Sequence, residues 1–148
     1  MRRSLIRPLT RIGIALTLGL ATLVVSPGQA NADALICADS HGAATTCLTV
    51  KGTADLVESV RVAHSEGIWP YRICDWAAGV WYTPASTGVQ TYYQTATYWR
   101  CESAWAISVS VTINFNNMRM RNPSYVIGAF YHDGNWSPGR PAAVVSRY

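Results

Sequence analysis

The chain has 148 residues, of which 49% are hydrophobic, with 12 lysine and arginine residues against 8 aspartate and glutamate residues. Four of the arginines lie within the first eleven residues, so residues 33–148 hold eight basic and eight acidic side chains and are formally neutral. Nucleic-acid binding depends on a basic excess gathered on one face, so the composition excludes that class of protein.

The N-terminus has the pattern of an export signal. Its arginines precede the uncharged, apolar run of residues 12–25, and a small-x-small triplet follows at residues 30–32. A membrane-spanning helix needs about 20 apolar residues, so we interpret residues 1–32 as a signal peptide cleaved after Ala32, with Ala34 as the alternative cleavage position. The paired Arg2 and Arg3 also resemble a twin-arginine signal, but the general route suits a protein whose cysteines oxidise after export.

Residues 33–148 are enough for one compact domain with its own core, but too few for two. We therefore predict a single secreted domain of bacterial type, with no membrane contact once the leader is removed. It contains four cysteines, Cys37, Cys47, Cys74 and Cys101. An even number of cysteines in a small exported chain predicts disulfides. Of the three possible pairings we favour Cys37 with Cys47, which closes a short loop, and Cys74 with Cys101, which joins two predicted strands.

Residues 55–64 fit two kinds of element. Their apolar side chains could form one face of a helix capped by Asp55. Val60 and Val62 alternate as in a strand, which brings Val57 into register only across a bulge. We favour the strand because the rest of the chain has β character; a helix here would make the fold α+β.

The clearest strand covers residues 105–115, where apolar side chains alternate with small or polar ones without exception. A period of two over this length predicts a strand with one buried face. Further strands are predicted at 47–51, 72–76, 79–83, 89–100, 124–132 and 142–147. Turn-forming residues separate them at 84–88, 116–117, 122–123 and 133–134. The sequence thus predicts an all-β fold of about seven or eight strands, an antiparallel β-sandwich (immunoglobulin-like or related) or a small barrel.

Candidate catalytic residues are few. The strained Gly-x-Ser-x-Gly elbow of a hydrolase does not occur in the sequence. His132 beside Asp133 is the best candidate for an acid-base group, with a solvated hairpin tip as the alternative. Asp75 and Glu102 each follow a cysteine of the favoured Cys74–Cys101 pair, so they could face each other as glycosidase carboxylates do or simply flank a crosslink. We assign no catalytic residue and lean against an enzyme.

A metal site built from thiols and His41 is not favoured either. No two cysteines have the Cys-x-x-Cys spacing of a zinc site, so we expect no metal and no cofactor.

Aromatic residues are concentrated in residues 69–148, which hold all six tryptophans, eight tyrosines and two phenylalanines. In the segment 89–100, two pairs of adjacent aromatic residues send rings to both faces of a strand. Trp136 lies on a loop, residues 133–141, that is rich in proline and glycine. We predict a binding surface that includes Tyr92, Tyr98 and Trp136, since tyrosine and tryptophan are enriched in contacts with partners.

Three classes of function remain after these exclusions. The first is a non-catalytic binding module, with cell-wall or environmental polysaccharide as its ligand. The second is a secreted inhibitor or protein-binding effector that uses the loop at residues 133–141. The third is a small hydrolase, against which the missing motifs argue. The sequence favours them in that order.

Overall fold

The computed structural model of the protein describes residues 34–40, 42–67, 72–102 and 108–147. The proposed leader at residues 1–32, His41 and residues 105–107 of the clearest predicted strand lie outside these ranges. Within them the chain forms nine strands and no helix, which confirms the predicted all-β class. The described residues accordingly include no helix long and apolar enough to cross a membrane.

Two antiparallel sheets make up the fold. The first has the order β1-β2-β3-β6 and consists of β1 (Ala34–Asp39), β2 (Thr45–Thr53), β3 (Leu56–Ser65) and β6 (Ser108–Arg119). The second contains β4 (Ala77–Tyr82), β5 (Thr91–Gln94), β7 (Ser124–His132), β8 (Asn135–Trp136) and β9 (Ala142–Val145). In it β4 lies between β5 and β7, while β8 and β9 both pair with β7, at its end and its beginning respectively.

The core lies between the two sheets, so the architecture is a sandwich rather than a barrel. Each strand turns every second side chain inward, and Leu48 of β2, Val62 of β3 and Phe130 of β7 are completely buried. Burying a side chain of this size stabilises the fold by about 1.5–3 kcal/mol. The sheets approach closely at Gly128, where an added Cβ would lie 3.0 Å from Leu48 Cδ1.

The ambiguous segment at residues 55–64 is a strand, as predicted, and a helix there is excluded. The bulge is also present, because the register between β3 and β6 shifts between Val57 and Ser59. The opposite strand carries the extra residues. Asn116 and Asn117 have φ angles of 52° and 59°, a left-handed conformation that asparagine tolerates better than most residues. The predicted turn at 116–117 is therefore wrong, since β6 continues through it.

Other strand boundaries also differ from the prediction. The segment 72–76 forms only isolated bridges, and the strand predicted at 89–100 is regular only over Thr91–Gln94. Conversely, β1 was not predicted, and it takes up part of the short loop expected between Cys37 and Cys47. The boundaries of β7 agree with the prediction at both ends.

Both favoured disulfides are present. Cys37 and Cys47 are direct cross-strand partners in β1 and β2. Cys74 and Cys101 join the two segments that meet through the bridge between Ile73 and Glu102. All four cysteines are therefore oxidised, so no thiol is available to a metal.

Candidate functional site

Aromatic side chains collect on the outer face of the five-stranded sheet. In β4, Val80 points into the core, so its neighbour Trp81 points outward. Tyr92 of β5 is the direct cross-strand partner of Trp81, and their ring centroids lie 4.6 Å apart. The two rings thus form the first part of a continuous outer surface.

The strands β7 and β8 of the same sheet supply two more rings. Trp136 of β8 pairs with Tyr131 of β7, and their ring centroids are 5.3 Å apart. Trp136 also meets the ring of Tyr92 edge to face at 6.3 Å. We call this surface, formed by Trp81, Tyr92, Tyr131, Trp136 and Arg140, the aromatic face.

Arg140 lies among these rings and is exposed. Its guanidinium carbon is 5.3 Å from the centroid of the Trp81 ring and 5.5 Å from that of Trp136. Both distances are within the range of cation-π attraction, which contributes about 0.5–1 kcal/mol at exposed positions. The planar guanidinium carries five N–H donors, so the aromatic face combines flat apolar rings with a strong hydrogen-bonding group.

Gly79 sets the position of the Tyr92 ring. A Cβ added at Gly79 would lie 2.6 Å from the Tyr92 hydroxyl oxygen and 2.8 Å from its Cε2 atom. The ring therefore lies across the backbone of β4, where only glycine leaves room for it. The Tyr92 hydroxyl donates a hydrogen bond to Gln94 Oε1 at 3.2 Å. Partial burial raises the pKa of Tyr92, and the charge of Arg140 opposes this shift.

The outer face of the sheet continues beyond these rings. Tyr125 of β7 and Val144 of β9 are cross-strand partners, with 59% and 54% of their surfaces exposed. Tyr125 and Tyr131 share one side of β7, because they are an even number of residues apart. At about 3.4 Å per residue they are roughly 20 Å apart along the strand. The outer surface thus extends well beyond the aromatic face.

The three predicted binding residues do not share one surface. Tyr92 and Trp136 both belong to the aromatic face. Tyr98 instead stacks on Trp76 at a centroid distance of 4.2 Å, and Trp76 stacks in turn on Phe130 in the core. Trp81, Tyr131 and Arg140 were not singled out in the sequence.

The predicted catalytic candidates lie elsewhere. His132 ends β7 on the inner side of the sheet, with Nδ1 at 3.5 Å from Asp133 Oδ2 and Nε2 at 3.3 Å from Glu66 Oε1. Its side chain is 24% exposed, so it is more enclosed than a solvated hairpin tip. Around the second disulfide, Glu102 pairs with Arg100 at 3.1 Å, and Asp75 is exposed.

His132 belongs to a cluster of metal-ligand types at this end of the sandwich. One donor atom each from His64, Glu66 and His132 lies within 4.8 Å of the others. His64 is buried, and burial lowers its pKa although the hydrogen bond to Glu66 opposes the shift. Sequence reasoning missed His64 and Glu66, although the inward alternation of Val60 and Val62 continues to His64.

Sequence and structure comparisons supply no relative from which a role could be transferred. Comparison of the chain with known protein families, with curated proteins and with solved structures finds no match. The function must therefore be inferred from the chain's own residues. Among the described residues, the aromatic face is the most extensive candidate for a functional surface.

Proposed function

We propose that this protein is a non-catalytic binding module that holds polysaccharide against the aromatic face. The observation that carries the proposal is the row of neighbouring rings from three strands, Trp81, Tyr92 and Trp136, on the outer surface of one sheet. A pyranose ring has an apolar C–H face that stacks on flat aromatic rings. Tyrosine and tryptophan offer such a surface while their polar edges stay in contact with water.

The polar groups of the aromatic face also suit a sugar. Sugar hydroxyls accept and donate hydrogen bonds around the ring, and Arg140 presents its donors between Trp81 and Trp136. Gln94, which accepts from Tyr92, adds a side-chain amide at the edge. The same guanidinium would bind the carboxylate of an acidic sugar in a bidentate manner, so neutral and acidic polysaccharides both belong to the proposed ligand class.

The shape of the surface favours a long ligand. Small ligands bind mostly in clefts that enclose them, whereas the aromatic face is an open sheet surface that continues to Tyr125. A length of roughly 20 Å along β7 accommodates several successive sugar rings. An extended chain or the surface of an insoluble glycan therefore fits better than a single sugar.

We also propose that the protein acts outside the cell, after cleavage of residues 1–32. Its two disulfides support this location, since disulfides persist in oxidising compartments and are rare in the cytosol. N-terminal sequencing of protein recovered from the culture medium should begin at Asp33. Recovery of uncleaved chain from the cell pellet alone would contradict the proposal.

Retention on insoluble glycans, combined with tryptophan fluorescence, tests the binding function. The panel is cellulose, chitin, peptidoglycan and an acidic polysaccharide. At least one of them should retain the protein, and a soluble fragment of that glycan should shift the emission, because Trp81 and Trp136 lie on the proposed surface. Absence of retention and of a shift on every glycan would remove this function in favour of a protein-binding effector.

A further inference from the structure

On three strands, the row of inward-facing side chains ends in a polar residue, and these residues all lie at the same end of the sandwich. The row of β2 ends in Thr46, that of β3 in His64 and that of β7 in His132. Thr46 and His64 are cross-strand partners, and both are completely buried or nearly so. Polar groups in such positions need partners, because burying them unpaired is costly.

The His64 ring is held firmly in place. It stacks on Phe130 with a centroid distance of 4.5 Å and an angle of 5° between the ring planes. Its Nε2 atom lies 3.0 Å from Glu66 Oε1, and His132 Nε2 approaches the same oxygen at 3.3 Å. The two Nε2 atoms thus converge on one carboxylate oxygen from opposite sheets of the sandwich.

The other nitrogen of each ring has its own partner. His64 Nδ1 lies 2.9 Å from Thr46 Oγ1, and His132 Nδ1 lies 3.5 Å from Asp133 Oδ2. With protons on both Nδ1 atoms, the rings donate to these oxygens and both Nε2 lone pairs are free to bind a cation. Metal-binding histidines are oriented in this way, by an oxygen that accepts from the second nitrogen.

Two serine hydroxyls lie within hydrogen-bonding distance of the Thr46 hydroxyl. Its Oγ1 atom lies 3.0 Å from Ser40 Oγ and 3.4 Å from Ser137 Oγ, and Ser137 donates to Ser40. Thr46 can therefore accept from His64 Nδ1 and donate its own proton to a neighbouring hydroxyl. The hydroxyl cluster is therefore compatible with the tautomer of His64 that a metal at Nε2 requires.

We propose that His64, Glu66 and His132 bind one divalent transition-metal ion, with zinc as the best match. Two imidazoles and a carboxylate form a donor set that zinc accepts, at bond lengths of about 2.0–2.2 Å. Tetrahedral geometry then places donor atoms roughly 3.3–3.5 Å apart. The separations of 3.0 and 3.3 Å to Glu66 Oε1 are close to this value. The three donor atoms lie within 4.8 Å of one another, so binding of the ion would draw the partly exposed His132 ring closer to His64.

Magnesium and calcium fit these residues poorly, because both prefer six or more oxygen ligands. Three protein ligands also leave a fourth zinc position open. The cluster lines a cleft of about 240 Å³ together with Ser40, Asn135 and Trp136. The cleft provides an entry path for the ion and room for water or another oxygen ligand at the open position.

Calorimetric titration with zinc tests this site in protein purified without a polyhistidine tag and treated with chelator. We expect one zinc per chain. Glu66→Gln and His132→Gln should each weaken binding at least about 100-fold, since loss of a ligand exceeds the 10–100-fold effect of losing a second-sphere partner. Thr46→Val should weaken it about 10-fold. His64 is not substituted, because its ring is part of the packing around Phe130.

Glu102→Gln is the matched control, since it makes the same chemical change in a carboxylate that pairs with Arg100. It should leave zinc affinity unchanged, and thermal unfolding should show that all variants fold. Absence of saturable binding up to millimolar zinc would overturn the proposal. Equal affinity in the wild type, Glu66→Gln and His132→Gln would also overturn it, by placing the ion elsewhere. The titration contains no glycan, so its outcome is independent of carbohydrate binding.

Discussion

The guanidinium carbon of Arg140 lies 5.3 Å from the centroid of the Trp81 ring, although the two residues come from different segments of the chain. The same group is 5.5 Å from Trp136, so one cation links the two tryptophans of the aromatic face. The strongest hydrogen-bond donor of the aromatic face thus lies between its two largest rings. Substitution of Arg140 should therefore lower glycan affinity more than it lowers the stability of the fold.

Replacement of Arg140 with alanine should weaken glycan binding by about 10- to 150-fold, because a hydrogen bond from a charged group contributes about 1.5–3 kcal/mol. The free energy of unfolding should change by less than about 2 kcal/mol, the sum of two exposed cation-π contacts. Arg140→Lys keeps the positive charge but loses the planar guanidinium group with its five donors, so we expect a glycan affinity between those of the wild type and Arg140→Ala. Calorimetry and urea denaturation measure the two quantities. Unchanged glycan affinity in Arg140→Ala would exclude this residue from the site.

Gly79→Ala should displace the Tyr92 ring, because the added Cβ would lie 2.6 Å from the tyrosine hydroxyl. Glycan affinity should fall by about as much as in Tyr92→Ala. In the Tyr92→Ala background, the glycine substitution should have little further effect, since residues in contact are not additive. Fluorescence titration of the two single variants and the double variant measures this coupling. Additive losses would show that Gly79 acts independently of Tyr92.

Removal of the Cys74–Cys101 disulfide should cost more stability than removal of Cys37–Cys47. The sequence separations are 27 and 10 residues. Loop-closure entropy for these lengths predicts losses of about 3.6 and about 2.7 kcal/mol. Paired cysteine-to-alanine variants, unfolded in urea, give the comparison. A reversed order would mean that native packing around β1 and β2 outweighs the entropy of the unfolded chain.

Zinc should stabilise the native protein if it binds to His64, Glu66 and His132 only in the folded state. At a free zinc concentration 100 times the dissociation constant, the free energy of unfolding should increase by about 2.7 kcal/mol. The midpoint of thermal unfolding should rise accordingly, and chelator should reverse the rise. Glu66→Gln should show no such increase, whereas Glu102→Gln should behave like the wild type. An equal rise in both variants would assign the stabilisation to another site.

Much of the fold could be predicted because alternation is local. In β6 the alternation of apolar and polar residues predicts the strand, and in β7 the turn residues at 122–123 and 133–134 mark both ends of the strand. The bulge at Val57 was also visible, as an apolar residue out of register. Asn116 and Asn117 were predicted to form a turn, but they form a bulge within β6. Residues in the left-handed conformation occur in bulges as well as in turns. β1 shows no alternation at its start, because Ala34, Leu35 and Ile36 are apolar in succession.

The aromatic face was harder to predict, because it depends on which strands become neighbours. Alternation assigns Trp81 to the side opposite Val80, but only the pairing of β4 with β5 brings Tyr92 beside it. Tyr98 follows a strand that ends earlier than predicted, and it packs on Trp76 instead. Likewise, His64 and His132 meet only because the two sheets face each other.

A matched pair of variants tests the central claim most directly. Trp136 lies on the aromatic face, whereas Trp99 is 81% exposed on the segment between β5 and β6. The dissociation constant for the glycan that retains the wild type should rise at least about 30-fold in Trp136→Ala, the effect of losing a 2 kcal/mol contact. It should stay unchanged in Trp99→Ala. Equal affinities in the two variants, or a larger loss in Trp99→Ala, would contradict binding on the aromatic face.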